Sequence, residues 1–188
     1  MNIAGDNIEQ QIIRSFNRGD SSAMDELYGR YADYLTGVCT RYITADDDLK
    51  DVLQESFIKI FMGIGSFSYR GKGSLKAWMS RIVVNESLLF LRKQRLRAPE
   101  KLLSDPPDIP EEEPDTEGMD SAYLARLIRQ LPAGYREVFN LFVIEGLSHK
   151  EIACKLGIKP DTSASQFHRA RNLLARMIKE QRTSADTR

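Results

Sequence analysis

The segment LLSDPPDIPEEEPDTEGMD, residues 102–120, sets the strongest limit on what this 188-residue chain can fold into. It holds eight carboxylates, no cation and four prolines (Pro106, Pro107, Pro110, Pro114), with Pro99 just upstream. Like charge and proline both oppose a packed core, so the stretch reads as a linker. The chain is therefore expected to be two small domains, 8–98 and 121–180, on either side of a linker at 99–120.

The formal net charge is zero, which by itself argues against a nucleic-acid partner. The distribution of charge argues the other way. Residues 1–69 carry −5, 70–101 carry +7, 102–120 carry −8, 121–145 carry +1 and 146–188 carry +5. Two basic blocks separated by an acidic one make local fields that the total conceals. The longest apolar runs, such as Leu141–Ile144, are far too short to span a bilayer, so no membrane insertion is expected. The polar N-terminus, Asn2–Gln11, does not resemble a leader peptide. Cys39 and Cys154 lie inside helical patterns and read as reduced, buried thiols, which points to the cytoplasm. With His149 and His168 as the two histidines, no metal-ligand spacing occurs, and no metal or cofactor is expected.

Helical periodicity runs through both flanking parts, so the fold class is all-α. In the first part, Ile8, Ile12 and Phe16 open one helix, and Asn17–Asp20 marks a turn. A second helix carries Met24, Leu27, Tyr28, Tyr31 and Leu35. After a loop and cap at Thr44–Asp48, a third has the stripe Leu49, Val52, Leu53, Phe57, Ile60 and Phe61, with Asp51, Gln54, Glu55 and Lys59 opposite. FSYRGKGSLKAW (Phe67–Trp78) is a basic, glycine-containing loop with interleaved aromatics, a composition suited to single-stranded nucleic acid. The helix Trp78–Arg97 is apolar round most of its circumference. Ile82, Val83, Leu89 and Phe90 face one way, while a polar stripe runs through Arg81, Asn85, Leu88, Arg92 and Arg95. An asparagine can pair with two groups of adenine, and arginines beside it can hold phosphates.

The second part contains GLSHKEIACKLGIKPDTSASQFHRAR (Gly146–Arg171), which reads as a helix-turn-helix. Ser148 and Glu151 form a capping box, Gly157 fits a left-handed helix end, and Pro160 fits the first position of the next helix. At about 100° per residue, Ser163, Phe167, Ala170 and Leu174 share the inner side of that second helix. Asp161, Ser165, His168, Arg169 and Asn172 lie opposite, the side that would enter a major groove.

Four stretches in this order resemble a bacterial RNA polymerase sigma factor of the extracytoplasmic-function (ECF) group: DLKDVLQESFIKIF (Asp48–Phe61), RGKGSLKAWMSRIVVNESLLFLRKQRLR (Arg70–Arg97), LPAGYREVFNLFVIEGLSHKEIACKLGI (Leu131–Ile158) and HRAR (His168–Arg171). The resemblance implies a region 2-like first domain and a region 4-like second one. It implies that Asp51, Gln54 and Glu55 dock on core RNA polymerase. Arg70, Lys72, Ser74, Leu75, Lys76, Arg81, Asn85 and Arg92 would meet the minus-ten element, with Gly71–Lys76 capturing a flipped base and Trp78 supporting the loop from the core. Leu75 stands where many relatives have an aromatic. Thr162, Ser165, His168, Arg169 and Arg171 would read minus-thirty-five DNA. Ser163 stands where many relatives have a β-branched residue, and Ala164 and Gln166 where many have a cation. The implied partners are core polymerase, duplex and melted promoter DNA, and an anti-sigma factor.

The acidic linker would thread a basic RNA path and imitate RNA, or act only as a solubilising tether. Its nineteen residues, extended at ~3.3 Å each, reach roughly 63 Å. That exceeds the roughly 58 Å of duplex between promoter elements at ~3.4 Å per base pair. Two other readings stand beside this one. A stand-alone helix-turn-helix regulator would leave the basic block Arg70–Arg97 without a purpose. A small helical enzyme would need a nucleophile, a paired acid and base, or a metal cluster, none of which the sequence offers.

Overall fold

The computed structural model describes residues 3–97 and 119–186, with side chains from 8 to 97 and from 119 to 180. Its helices are α1 (Ile3–Asn17), α2 (Ser22–Cys39), α3 (Asp46–Gly63), α4 (Ser74–Arg97), α5 (Ser121–Arg129), α6 (Ala133–Phe139), α7 (His149–Leu156) and α8 (Pro160–Asp186). A 3₁₀ turn, Ile64–Ser66, follows α3, and a π-helical turn, Asn140–Ile144, follows α6. No strand occurs among the described residues, as expected for an all-α fold. The chain divides into two compact units, Met1–Leu91 and Arg92–Arg188, so the division falls within α4. Nearly all of the acidic linker lies outside the described residues. Asp120, its last carboxylate, instead caps α5 by accepting the Ala122 N–H at 3.3 Å.

In the first unit, α2 buries Ala23, Leu27, Tyr31, Leu35, Val38 and Cys39, a line of residues three to four apart. Met24 and Tyr28, expected on that apolar face, are exposed. Helix α3 buries Val52, Ser56, Phe57 and Ile60 and leaves Leu49, Leu53 and Phe61 half-buried. Helix α4 begins four residues earlier than its expected start at Trp78, and its buried face differs from the expected one. Leu75, Met79, Val83, Ser87 and Leu91 form the buried line, with Val84 and Leu88 beside it. Leu88 is core and Leu89 exposed, the reverse of the sequence expectation. Apolar residues surround most of α4, so periodicity could not choose the face; packing on α2, where Ser87 meets Cys39 at 3.6 Å, chose it.

In the second unit, Leu127, Ile128, Leu131, Ala170, Leu174 and Ile178 make a core between α5 and α8. Buried Arg136 donates from Nη1 to the carbonyls of Arg129 and Leu131, satisfying acceptors that the end of α5 leaves open. The two cysteines differ: Cys39 is buried and Cys154 is exposed, against the expectation that both are buried. Burial pushes the Cys39 thiol pKa up, because the thiolate would lose its solvation.

Candidate nucleic-acid interface

The first candidate surface begins where α3 ends. The chain turns through Ile64–Ser66 and then through Arg70-Gly71-Lys72-Gly73 before α4 starts at Ser74. Gly71 and Gly73 have φ of +112° and +83°, values that other residues adopt only with strain. These two glycines swing the loop back across the start of α4. Arg70 N–H donates to Ser74 Oγ at 3.2 Å, closing the loop on the helix.

The fold gathers Phe67, Arg70, Ser74, Trp78 and Arg81 round one open cleft of about 700 Å³. Its volume lies in the range of small-molecule sites and admits a nucleobase. Trp78 is half-buried and lines this cleft, rather than being a core support. Its ring lies 5.0 Å from Phe67, tilted by 39°. The cleft therefore has an aromatic wall, with guanidinium groups at Arg70 and Arg81.

Of the other expected minus-ten residues, Lys72, Asn85 and Arg92 are exposed, and Asn85 lies one turn beyond Arg81 on the same side of α4. Lys76 is also exposed, but its ammonium sits 3.8 Å from the centre of the Tyr34 ring, apart from the cleft lining. Leu75 departs from the expectation. Its side chain is wholly buried and belongs to the core, so it presents no surface to a base. The expectation placed it in the loop, whereas it lies in the first turn of α4.

Asp51, Gln54 and Glu55 are exposed along α3 as expected. Beside them lies a feature that the polar pattern did not reveal. A groove of about 380 Å³ runs between α2 and α3, lined by Tyr28, Leu53, Gln54, Phe57, Ile58 and Phe61 among others. Exposed Met62 continues the apolar surface near the end of α3. The docking candidate is thus a mainly apolar groove with Lys50 and Gln54 in its lining, and Asp51 and Glu55 are exposed on the same helix. Lys59, on the polar face of α3, pairs with Glu86 of α4 at 2.6 Å and so ties the two helices together.

The second candidate surface is the helix-turn-helix. Ser148 Oγ accepts from the Glu151 N–H at 3.4 Å, while Glu151 accepts from the Ser148 N–H at 2.8 Å, completing the capping box. The Ser148 hydroxyl also donates to the Glu151 carboxylate at 2.6 Å, and this bond first, then that from the Ser148 N–H, holds the Glu151 carboxyl pKa below its usual value. Gly157 ends α7 at φ 69° and ψ 35°, and α8 starts at Pro160.

On α8, Thr162, Ser165 and His168 are exposed, while Arg169 and Arg171 are half-buried. Ser165 Oγ donates to the Asp161 carbonyl at 2.8 Å. The Arg171 guanidinium sits 6.0 Å from the Phe167 ring centre. Asn172, expected on the outward side, is buried and bonds His168 Nε2 at 3.2 Å. Beyond the first turns, α8 also packs against α5 and α6, so its buried face widens there.

Ser163, the polar residue at an inner position, is fully buried, and its Oγ lies 3.0 Å from His149 Nδ1. The His149 ring in turn stacks on Phe142, with centroids 4.6 Å apart and planes at 15°. The two helices of the motif are therefore joined by a hydrogen bond at that position. A histidine placed fourteen residues earlier was the missed partner, since helix periodicity relates neighbours only within a few turns.

Among the described residues, no group of three or more His, Cys, Asp or Glu could hold a metal ion, and no helix is long and apolar enough to cross a membrane. Residues 27–97 match the family Sigma-70 region 2, and residues 121–174 match Sigma-70, region 4. The chain is 32% identical to the ECF RNA polymerase sigma-E factor of Haemophilus influenzae, over 90% of this chain and 95% of that protein. It is 34% identical to the ECF RNA polymerase sigma factor SigE of Mycolicibacterium smegmatis, over 83% of this chain and 63% of that one. It is 28% identical to the RNA polymerase sigma-H factor of Pseudomonas aeruginosa, over 90% and 93%. With a region 2 match, a region 4 match and relatives spanning both, the chain belongs to the ECF group of bacterial RNA polymerase sigma factors.

Proposed function

We propose that this sigma factor captures an unpaired base of the minus-ten element in the cleft between Phe67, Arg70, Trp78 and Arg81, with Asn85 and Lys72 meeting flanking DNA. The gathering of two rings and two guanidinium groups round one cleft is the observation that carries this reading. As a member of its family the chain directs promoter-specific initiation by core RNA polymerase. Its part is binding, while polymerase forms the phosphodiester bonds. Extruding a base costs a few kcal/mol. Stacking on an aromatic side chain returns roughly 1–3 kcal/mol per base, and cations at Arg70 and Arg81 hold the adjoining phosphates. The open state is stabilised because only an unpaired base can enter the cleft.

The groove between α2 and α3, with Asp51, Gln54 and Glu55 exposed on α3, docks on core polymerase: apolar contact supplies affinity and the acidic groups supply orientation. Thr162, Ser165, His168, Arg169 and Arg171 of α8 meet minus-thirty-five DNA. The protein works in the cytoplasm, and an anti-sigma factor covers its DNA-binding and docking surfaces when idle.

Trp78, the chain's one tryptophan, gives the test. Adding single-stranded minus-ten DNA to the holoenzyme should quench the Trp78 emission, read as the difference from a Trp78→Phe holoenzyme, and Trp78→Ala should lower initiation on duplex promoters at least fivefold while sparing pre-opened templates. Unchanged emission together with unchanged duplex initiation would exclude the cleft as the capture site.

A further inference from the structure

The start of α4 lacks the local cap that a helix of its length normally has. Its N-cap position is Gly73, which has no side chain to accept the free N–H groups of the first turn. A serine or aspartate there would be strained, because φ at Gly73 is +83°. The acceptor comes instead from α1. Glu9 is buried, and its Oε2 accepts the Gly73 N–H at 3.1 Å and the Leu75 N–H at 3.4 Å. Tyr31 of α2 hydrogen-bonds the same carboxylate. A protonated phenol is the donor in that pair. Burial, with the Glu9 charge close by, pushes the Tyr31 pKa up to about 12 and keeps that hydroxyl protonated.

We propose that Glu9 is a positioning residue for minus-ten recognition: as a tertiary cap on α4 it fixes the Arg70–Gly73 loop in the shape that forms the capture cleft. The carboxylate touches no DNA. It acts through the Gly73 and Leu75 peptide groups, whose placement sets where Arg70, Ser74 and Trp78 stand. A negative charge at a helix N-terminus also meets the positive end of the helix dipole, which strengthens the hold. Glu9 lies before the region 2 match, which begins at residue 27. Recognition of the minus-ten element would then depend on a helix outside the matched region.

This inference rests on the cleft reading above, and its test separates the two. Glu9→Gln keeps an acceptor but loses the charge, and Glu9→Met loses both at similar length. In holoenzyme with core polymerase, Glu9→Met should reduce open-complex formation on duplex promoters about tenfold, the equivalent of one lost charge-assisted bond. Glu9→Gln should lose about threefold on the same scale, rescuing part of the effect. Affinity for core polymerase and initiation on pre-opened templates should stay at the parent level. Amide exchange at Gly73 and Leu75 should quicken in Glu9→Gln while Met79 and Val83 stay protected. If Glu9→Met does not fold, the Glu9→Gln rates and amide exchange decide between the outcomes.

Equal loss of polymerase affinity and open-complex formation would show a merely structural role and overturn the proposal. So would parent-level open-complex formation in both Glu9 variants. Arg81→Ala and Trp78→Ala, measured alongside, identify which idea has failed. If they too leave duplex initiation intact, the cleft reading is wrong; if they lower it while the Glu9 variants do not, Glu9 has no positioning role.

Discussion

Replacing Ser163 by valine puts the β-branched type that the family resemblance leads one to expect at this inner position of α8. In this chain it should destabilise the C-terminal unit. Ser163 is fully buried and its Oγ stands 3.0 Å from His149 Nδ1. Losing that bond costs about 0.5–1.5 kcal/mol. A valine methyl facing Nδ1 needs about 3.5–4 Å, so the site is short by roughly half an ångström or more. Overpacking of this kind costs about 1–3 kcal/mol. The added buried carbon returns only about 0.8 kcal/mol per methylene equivalent. The net expectation is a loss of about 1–3 kcal/mol, at roughly 4–8 °C in Tm per kcal/mol for a unit of this size.

The assay is a double-mutant cycle on the full chain, followed by far-ultraviolet circular dichroism and by the histidine ring signals in NMR. His149→Ala alone also removes the stack on Phe142 and should destabilise. The double variant should be more stable than the two single losses summed, by about 1 kcal/mol or more, because His149→Ala vacates the space that the valine needs. An increase in Tm for Ser163→Val alone would refute the reasoning, since it would mean that apolar packing outweighs the buried hydrogen bond here.

Asn85→Ala should flatten base preference at one position of the minus-ten element by about 1–3 kcal/mol, read as relative initiation on single-base promoter variants. With Arg169 and Arg171 as the proposed phosphate contacts, joined by exposed Lys179 further along α8, log affinity of the C-terminal unit against log salt should slope no more steeply than about −3; a slope near −6 would reveal cations elsewhere. A thiol reagent should label exposed Cys154 in the native protein and reach Cys39 only on unfolding, as peptide mapping would show. For Glu151 the folded pKa lies below the ordinary 4.5. Its stabilising contribution is therefore fully present above that value and is lost as pH falls through the lower folded one. Ser148→Ala should return the carboxyl towards 4.5 in an NMR titration.

The local signals were readable where one short stretch holds all the parties to an interaction. Ser148, Glu151, Gly157 and Pro160 act within a few residues of each other, and each occupies the predicted place. The inner residues Ser163, Ala170 and Leu174 are buried because the 3.6-residue period alone decides their side. The same rule could not choose among Leu88, Leu89 and Phe90 on a helix with apolar residues nearly all round. Nor could it tell that Leu75 already belongs to α4, since two glycines with positive φ, not a local cap, mark that helix start.

What the sequence alone determined about this protein is its all-helical character, its helix-turn-helix and its membership of the sigma-factor family, through residues that act on near neighbours or match a family pattern in order. The tertiary structure alone decided that Glu9 caps α4, that His149 meets Ser163, that Trp78 lines a cleft instead of filling a core, and that an apolar groove opens between α2 and α3. Each of these joins side chains on different elements. Periodicity fixes which way a side chain leaves its own helix, while the packing of whole helices fixes what it meets there.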